Sequence, residues 1–275
     1  MDMNINDFRS NFEKLGSQYK AADNIGIEKE IIEGIPCYWI CKAGAKSSSR
    51  VILYLHGGCY VLGSINSHQA LVSHLASETD TTILFIEYAL SPENPFPVAI
   101  NEVLKVYNYL VNEIQIPHIS FMGDSAGRGL IISAVSVLNK EKNTAPLRQI
   151  IMISPWVDVR NNSHSITGNS AIDPVLTKEI LDFFASLYTG NNKVSAMNPI
   201  DTLFGAFPPT LILVGSNEIL LDDSRMLFSK IAASQPVTQL TIYEDQAHVW
   251  LMADIHSKSS KKAINEIKNF MVEAK

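Results

Sequence analysis

The chain is poor in the residues that build disulfide frameworks, metal clusters or basic binding faces. Only three of its 275 residues are cysteine. That small odd number, Cys37, Cys41 and Cys59, suits a reducing compartment better than a disulfide scaffold. Cys37 and Cys41 share one face of an alternating strand pattern, and no further Cys or His stands nearby to complete a tetrahedral site, so no metal is expected. No apolar run approaches the roughly 18 residues that a membrane-crossing helix requires. The first twenty residues carry Asp2, Asp7 and Glu13 and lack the basic-then-apolar order of a secretory leader, which makes the cytoplasm the expected location. Positive charge is also scarce: 22 Lys and Arg stand against 28 Asp and Glu, a net charge of -6. Nucleic-acid binding needs clustered cations, and the densest cluster, 258–262, reads as the solvated face of a terminal helix.

What the chain does have is apolar residues, 46% of the total, enough for one large core. A single domain spanning 1–275 is the economical expectation. Its pattern alternates. A hairpin over 25–33 and 35–42, turning at Glu33-Gly34, leads into strand 51–55, helix 67–78, strand 82–87, helix 97–114, strand 118–122, helix 126–140 and strand 149–154. After an interruption come strand 210–214, helix 222–233, strand 238–243 and helix 256–273. Strands separated by helices of this length predict an α/β fold, an about eight-stranded mostly parallel sheet with helices on both faces. The interruption, about 156–199, contains one helical pattern over 177–188. Loops of such length usually cover a site, so this segment and the amphipathic stretch 1–22 are expected to form a helical cap.

The pentapeptide Gly123-Asp124-Ser125-Ala126-Gly127 follows an apolar run and precedes a helical pattern. Such a strand-to-helix turn presents a serine as a nucleophile. A serine hydroxyl needs a base to take its proton and donors for the oxyanion that forms. The donors are expected from the backbone N–H groups of Gly57 and Gly58, which follow strand 51–55 and His56, together with that of Ala126. The base and its acid are sought after Ser125. Only His248 lies in a loop behind the last strand. His56 reads as a buttress of the oxyanion loop, and His68, His74, His118, His164 and His256 as ordinary positions on helices, a strand start or the cap. For the acid, Glu218 follows strand 210–214 directly, with Asp222 and Asp223 as alternatives. Loops behind successive parallel strands share one edge of a sheet, so these distant residues can meet. Asp124 is expected to point away from the site into the supporting loops. Cys59, Tyr60, Arg128 and Trp156 are the expected substrate contacts, although Trp156, Phe183, Phe184 and Tyr188 also read as core at helical spacing.

Several further motifs stand in order: Glu87-Tyr88-Ala89-Leu90-Ser91-Pro92-Glu93 followed by Phe96-Pro97, then Ser154-Pro155-Trp156, then Gly215-x-x-Glu218-x-Leu220-x-Asp222. With His56-Gly57-Gly58 and the serine pentapeptide, they make the chain resemble the hormone-sensitive-lipase-like branch of the α/β-hydrolases, the bacterial acetyl-esterase type, over nearly its whole length. The resemblance implies hydrolysis of short-chain carboxylic esters, a small-molecule partner, without metal or organic cofactor. Four positions depart from the family pattern. Cys59 replaces a small residue, Glu87-Tyr88-Ala89-Leu90 replaces Asp-Tyr-Arg-Leu, Glu218 replaces the commoner Asp, and Arg128 replaces Gly behind the pentapeptide. Arg128 puts a long cation in the first turn of a helix, where it either favours the oxyanion, binds an acidic substrate group or crowds the packing. An amidase, lactonase or transacylase on the same triad, and a non-catalytic binding homologue, are the alternative functions. Helix 256–273 or an edge strand is a possible homodimer contact.

Overall fold

The central strands are continuous apolar runs, the pattern of strands buried on both faces. In the computed structural model, which describes residues 4–42, 44, 49–141, 147–190, 198–202 and 205–273, they build an eight-stranded sheet in the order β1-β2-β4-β3-β5-β6-β7-β8. The strands are β1 (Ile25–Ile32), β2 (Ile35–Lys42), β3 (Arg50–Leu55), β4 (Thr82–Ile86), β5 (His118–Asp124), β6 (Leu147–Ile153), β7 (Thr210–Gly215) and β8 (Thr238–Tyr243). β2 runs antiparallel to both β1 and β4, and every other pairing is parallel.

The helices are α1 (Ile5–Glu13), α2 (Ile65–Thr79), α3 (Val98–Asn112), α4 (Gly127–Lys140), α5 (His164–Gly168), α6 (Lys178–Thr189), α7 (Pro199–Thr202), α8 (Leu221–Ala232) and α9 (Lys258–Glu273). Period-two alternation divides the core between the two faces. Leu53, Leu55 and Phe121 join the larger cluster with residues of α3, α4 and α8. Ile52, Tyr54 and Met122 face the other way, with α2 and α9. Among the described residues no helix is long and apolar enough to cross a membrane.

Long periodic elements agree with the sequence reading to within two residues. Ser64 explains the earlier start of α2, because its hydroxyl accepts from the Asn66 N–H in a reciprocal capping box with Ser67. The short helices α5 and α7 were below the length at which periodicity speaks. Of the expected cap, residues 1–3 and 191–197 lie outside the described residues. The rest is tied together by aromatic contacts: Phe8 of α1 meets Phe184 of α6 edge-on at 5.3 Å.

Strand order reverses at β3, since the chain moves to β4 on one side and β5 on the other. Outside the carboxyl ends of such a pair lies the usual ligand crevice of an open α/β sheet. The loop 56–63 and the turn 124–127 both open there.

Candidate active site

Ser125 sits at φ +46°, in the left-handed region, between the end of β5 and the start of α4. Such a backbone conformation costs energy for any L residue other than Gly and needs close neighbours to hold it. The Ser125 N–H donates to the Ile153 carbonyl at 3.2 Å, and the Ser125 carbonyl accepts from the Trp156 N–H at 3.3 Å. Gly127 is required by the close approach of the helix to β3, because a Cβ there would lie 2.0 Å from the Leu55 carbonyl oxygen.

The structure brings Ser125, His248 and Glu218 into one hydrogen-bonded row. Ser125 Oγ lies 2.9 Å from His248 Nε2. His248 Nδ1 lies 2.8 Å from Glu218 Oε2. Glu218 is fully buried. Its other oxygen, Oε1, accepts from the Ser154 hydroxyl at 2.6 Å and from the Gly215 N–H at 2.6 Å. With Oε1 so held, Oε2 is left to face His248. Ser154 also accepts from the Val249 N–H at 3.0 Å, so one hydroxyl braces the acid and the loop that carries the histidine. Sequence reasoning gave Ser154 only as part of a motif. Its position directly behind β6, between the serine turn and the β7 loop, was the available signal.

The two alternative acids do other work. Asp223 Oδ2 accepts from the N–H groups of Val157 and Asp158 at 2.9 and 3.1 Å, and Asp222 accepts from the Ser165 N–H and pairs with Arg225. Both fasten the segment after Trp156 to the start of α8. Burial pushes the Asp223 carboxyl up to about 7 against the pull of those two N–H donors.

The oxyanion loop requires a correction. Gly57 does not offer its N–H to the crevice, because that group donates to Asp124 Oδ2 at 3.0 Å. Gly57 is glycine for a different reason: a Cβ there would fall 2.1 Å from the same oxygen. The N–H groups of Gly58, Cys59 and Ala126 have no acceptor among the described residues. Cys59 itself stands at φ +56°, and burial pushes its thiol up to about 12, so it remains protonated.

Asp124 turns away from the site, as expected, and is the anchor of this loop. Besides Gly57 it accepts from the Tyr54 hydroxyl at 2.8 Å, and His68 Nε2 lies 3.5 Å away. Burial by itself would push the Asp124 carboxyl up; His68, Arg128 and Tyr54 together outweigh it and hold it down at about 2. His56 buttresses the loop from behind. Its ring stacks on Tyr88 at 4.2 Å, and Nδ1 lies 2.7 Å from the Gly57 carbonyl oxygen. Burial, then the neighbouring His68, brings its pKa down to about 3, so the ring is neutral and Nδ1 carries the donated proton.

Three expected substrate contacts prove to be packing. Arg128 is wholly buried, with Nε donating to the Gly123 carbonyl at 2.8 Å, so it lies under the serine turn and not in the crevice. Trp156 is equally buried and gives its indole N–H to Asn161 at 2.7 Å. Tyr60 stacks on Tyr188 at 3.8 Å and tilts against Trp156 at 5.6 Å. Each large side chain fills space between the loop, α4 and α6 that a small one would leave empty. Where the family places Arg, Ala89 leaves its loop to Arg9 of α1, which bonds the Ser91 and Val61 carbonyls and both oxygens of Glu93. Among the described residues no group of His, Cys, Asp and Glu has the arrangement to hold a metal ion.

Residues 52–252 match the family described as having the alpha/beta hydrolase fold. An esterase of Acinetobacter venetianus is 33% identical over 231 residues, covering 82% of this chain and 75% of the relative. An acetyl-hydrolase of Streptomyces hygroscopicus is 34% identical over 210 residues, covering 75% and 70%. Among solved structures, an esterase from the bacterial hormone-sensitive lipase family superposes with a TM-score of 0.93 at 32% identity, covering 100% of this chain and 93% of the other. The chain belongs to the hormone-sensitive-lipase-like esterases of the α/β-hydrolase family.

Proposed function

We propose that this carboxylic ester hydrolase works through Ser125 as nucleophile, His248 as general base and Glu218 as the acid that orients it, on esters with short acyl groups. The observation that carries the reading is the unbroken row from Ser125 Oγ to His248 at 2.9 Å and on to Glu218 at 2.8 Å. As Oγ attacks the ester carbonyl, its proton passes to His248 Nε2, and Glu218 stabilises the imidazolium through Nδ1–H. The developing oxyanion is received by the N–H groups of Gly58, Cys59 and Ala126, each worth roughly 100- to 1000-fold in rate. Gly57 serves the same step indirectly, through its bond to Asp124. His248 then returns the proton to the departing alcohol. Water repeats the sequence on the acyl-enzyme and releases the carboxylate.

The short-chain assignment is supported by the relatives, among them the acetyl-hydrolase of Streptomyces hygroscopicus. A cap over Ser125, expected from about 1–22 and 156–199 in a single domain, is supported within the described residues by the Phe8–Phe184 contact.

The test compares wild type with Ser125→Ala on p-nitrophenyl esters from acetate to dodecanoate, with a fluorophosphonate probe mapped by mass. Hydrolysis favouring acetate and butyrate, with the adduct on the Ser125 peptide, is the expected result. Loss of both in Ser125→Ala completes it. Residual activity in that variant equal to wild type would remove Ser125 from the mechanism.

A further inference from the structure

The carboxylate of Glu218 is held by Ser154, Gly215 and His248, but its main chain is held from two other directions. Upstream, the loop 215–219 hangs on the segment that leads to His248. The Ser216 N–H donates to the Tyr243 carbonyl at 2.9 Å and the Asn217 N–H to the Gln246 carbonyl at 3.1 Å. Downstream, the bonds run to the turn behind α5. Asn169 Nδ2 donates to the carbonyls of Ser216 at 3.0 Å and Glu218 at 2.8 Å. Asp173 Oδ2 accepts from the Ile219 N–H at 2.8 Å. The carbonyl of Glu218 and the N–H of Ile219 belong to one peptide unit, so that unit is gripped at its oxygen by Asn169 and at its nitrogen by Asp173. The local bonds of the same residue are longer: the Glu218 N–H reaches the Gly215 carbonyl at 3.4 Å, and the Glu218 carbonyl accepts from the Leu221 N–H at 3.2 Å.

We infer that Asn169 and Asp173 are positioning residues for the reaction: they clamp the peptide unit between Glu218 and Ile219 and so set where the Glu218 carboxylate meets His248. The inference rests on the serine-esterase reading given above. The clamp is organised in advance, because its two jaws belong to one closed turn. The Asp173 N–H donates to the Asn169 carbonyl at 2.9 Å, and Asp173 Oδ1 accepts from the N–H groups of Val175 and Leu176 at 2.8 and 3.0 Å. Ser165 of α5 adds a further tie by donating to the Ile219 carbonyl at 2.7 Å. Glutamate carries one more side-chain torsion than the commoner aspartate, so its carboxylate depends more on a fixed main chain. A misplacement of about 1 Å at a catalytic group costs on the order of 100-fold in rate.

The experiment measures kcat and KM for p-nitrophenyl acetate in wild type, Asn169→Leu, Asn169→Ala and Asp173→Ala, at a temperature where circular dichroism shows each protein folded. The same substitutions are repeated in a Glu218→Ala background, with enzyme in excess so that slow turnover is counted. Leucine keeps the volume of Asn169 and removes its donors; the two alanine variants serve if Asn169→Leu does not fold. The expected result is a kcat lowered about 10- to 100-fold with a KM within about twofold, because neither residue touches substrate. In the Glu218→Ala background the same substitutions change kcat by less than about twofold, since the group they position is gone. A kcat unmoved in the single variants, or lowered by the same factor with and without Glu218, overturns the inference, while Ser125 labelling by a fluorophosphonate leaves the esterase reading intact. Glu218→Ala turning over as wild type does overturns both the clamp and the role given to the acid.

Discussion

The Ser154 hydroxyl donates to Glu218 at 2.6 Å while it accepts from the N–H of Val249 at 3.0 Å, which joins β6, the β7 loop and the β8 loop at one atom. Val249 is held at φ +47°, an expensive conformation for a β-branched residue. The bond from Ser154 is part of what holds it there, directly beside His248.

Ser154→Ala leaves Glu218 with one donor fewer and a buried Val249 N–H without an acceptor. The expected outcome is a loss of about 1–3 kcal/mol in stability together with a fall of about 10- to 100-fold in kcat, as the imidazole loses its fixed orientation. Thermal unfolding and steady-state kinetics on the same preparations check both.

Gly57→Ala introduces a methyl group 2.1 Å from Asp124 Oδ2. The loop must move away from Asp124, and the donors that follow it move too. A fall of about 100-fold or more in kcat is expected, against little change in a Gly168→Ala control, where an added Cβ meets nothing within 4 Å. Kinetics of the two variants side by side decide the matter.

Asp223 supplies a pH dependence of stability. Its folded pKa, pushed up to about 7 by burial, lies above the unfolded carboxylate value of about 3.9. The folded form therefore holds the proton more tightly. The contribution is complete below pH of about 4 and is lost as pH rises through about 7. Asp223→Asn keeps an oxygen for the Val157 and Asp158 N–H groups without the charge. It is expected to match wild type at pH of about 4 and to unfold at higher urea concentration than wild type at pH of about 9, as denaturant melts at both values will show.

Arg9 and Glu93 form an exposed ion pair at 2.7 Å, and such pairs contribute about 0–1 kcal/mol. Arg9 also bonds the Val61 and Ser91 carbonyls, which Glu93 does not touch. Glu93→Gln should leave the melting temperature almost unchanged. Arg9→Ala should lower it measurably and loosen α1, read as faster proteolysis near the N terminus.

The sheet and the Ser125, His248 and Glu218 row were legible because each depends on chain order and on period. Apolar runs of five or six residues mark strands buried on both faces, and a serine turn, an acid and a histidine behind successive parallel strands must share an edge. Of the three donors expected from the sequence, Gly57 was the one misread. Whether the Gly57 N–H faces the crevice or Asp124 depends on where the fold brings the Asp124 carboxylate, which residue identity leaves open. Arg128 misled for a related reason. A long cation in the first turn of a helix can meet a substrate or crowd the packing, and its burial beneath the turn is decided by the fold.

Five neighbouring strands, β3, β5, β6, β7 and β8, each contribute at their carboxyl ends to the Ser125 neighbourhood. Chemistry in this molecule consequently draws on every strand joined by parallel pairing except β4. A fragment retaining fewer strands keeps secondary structure at best, and turnover vanishes with the first strand to detach.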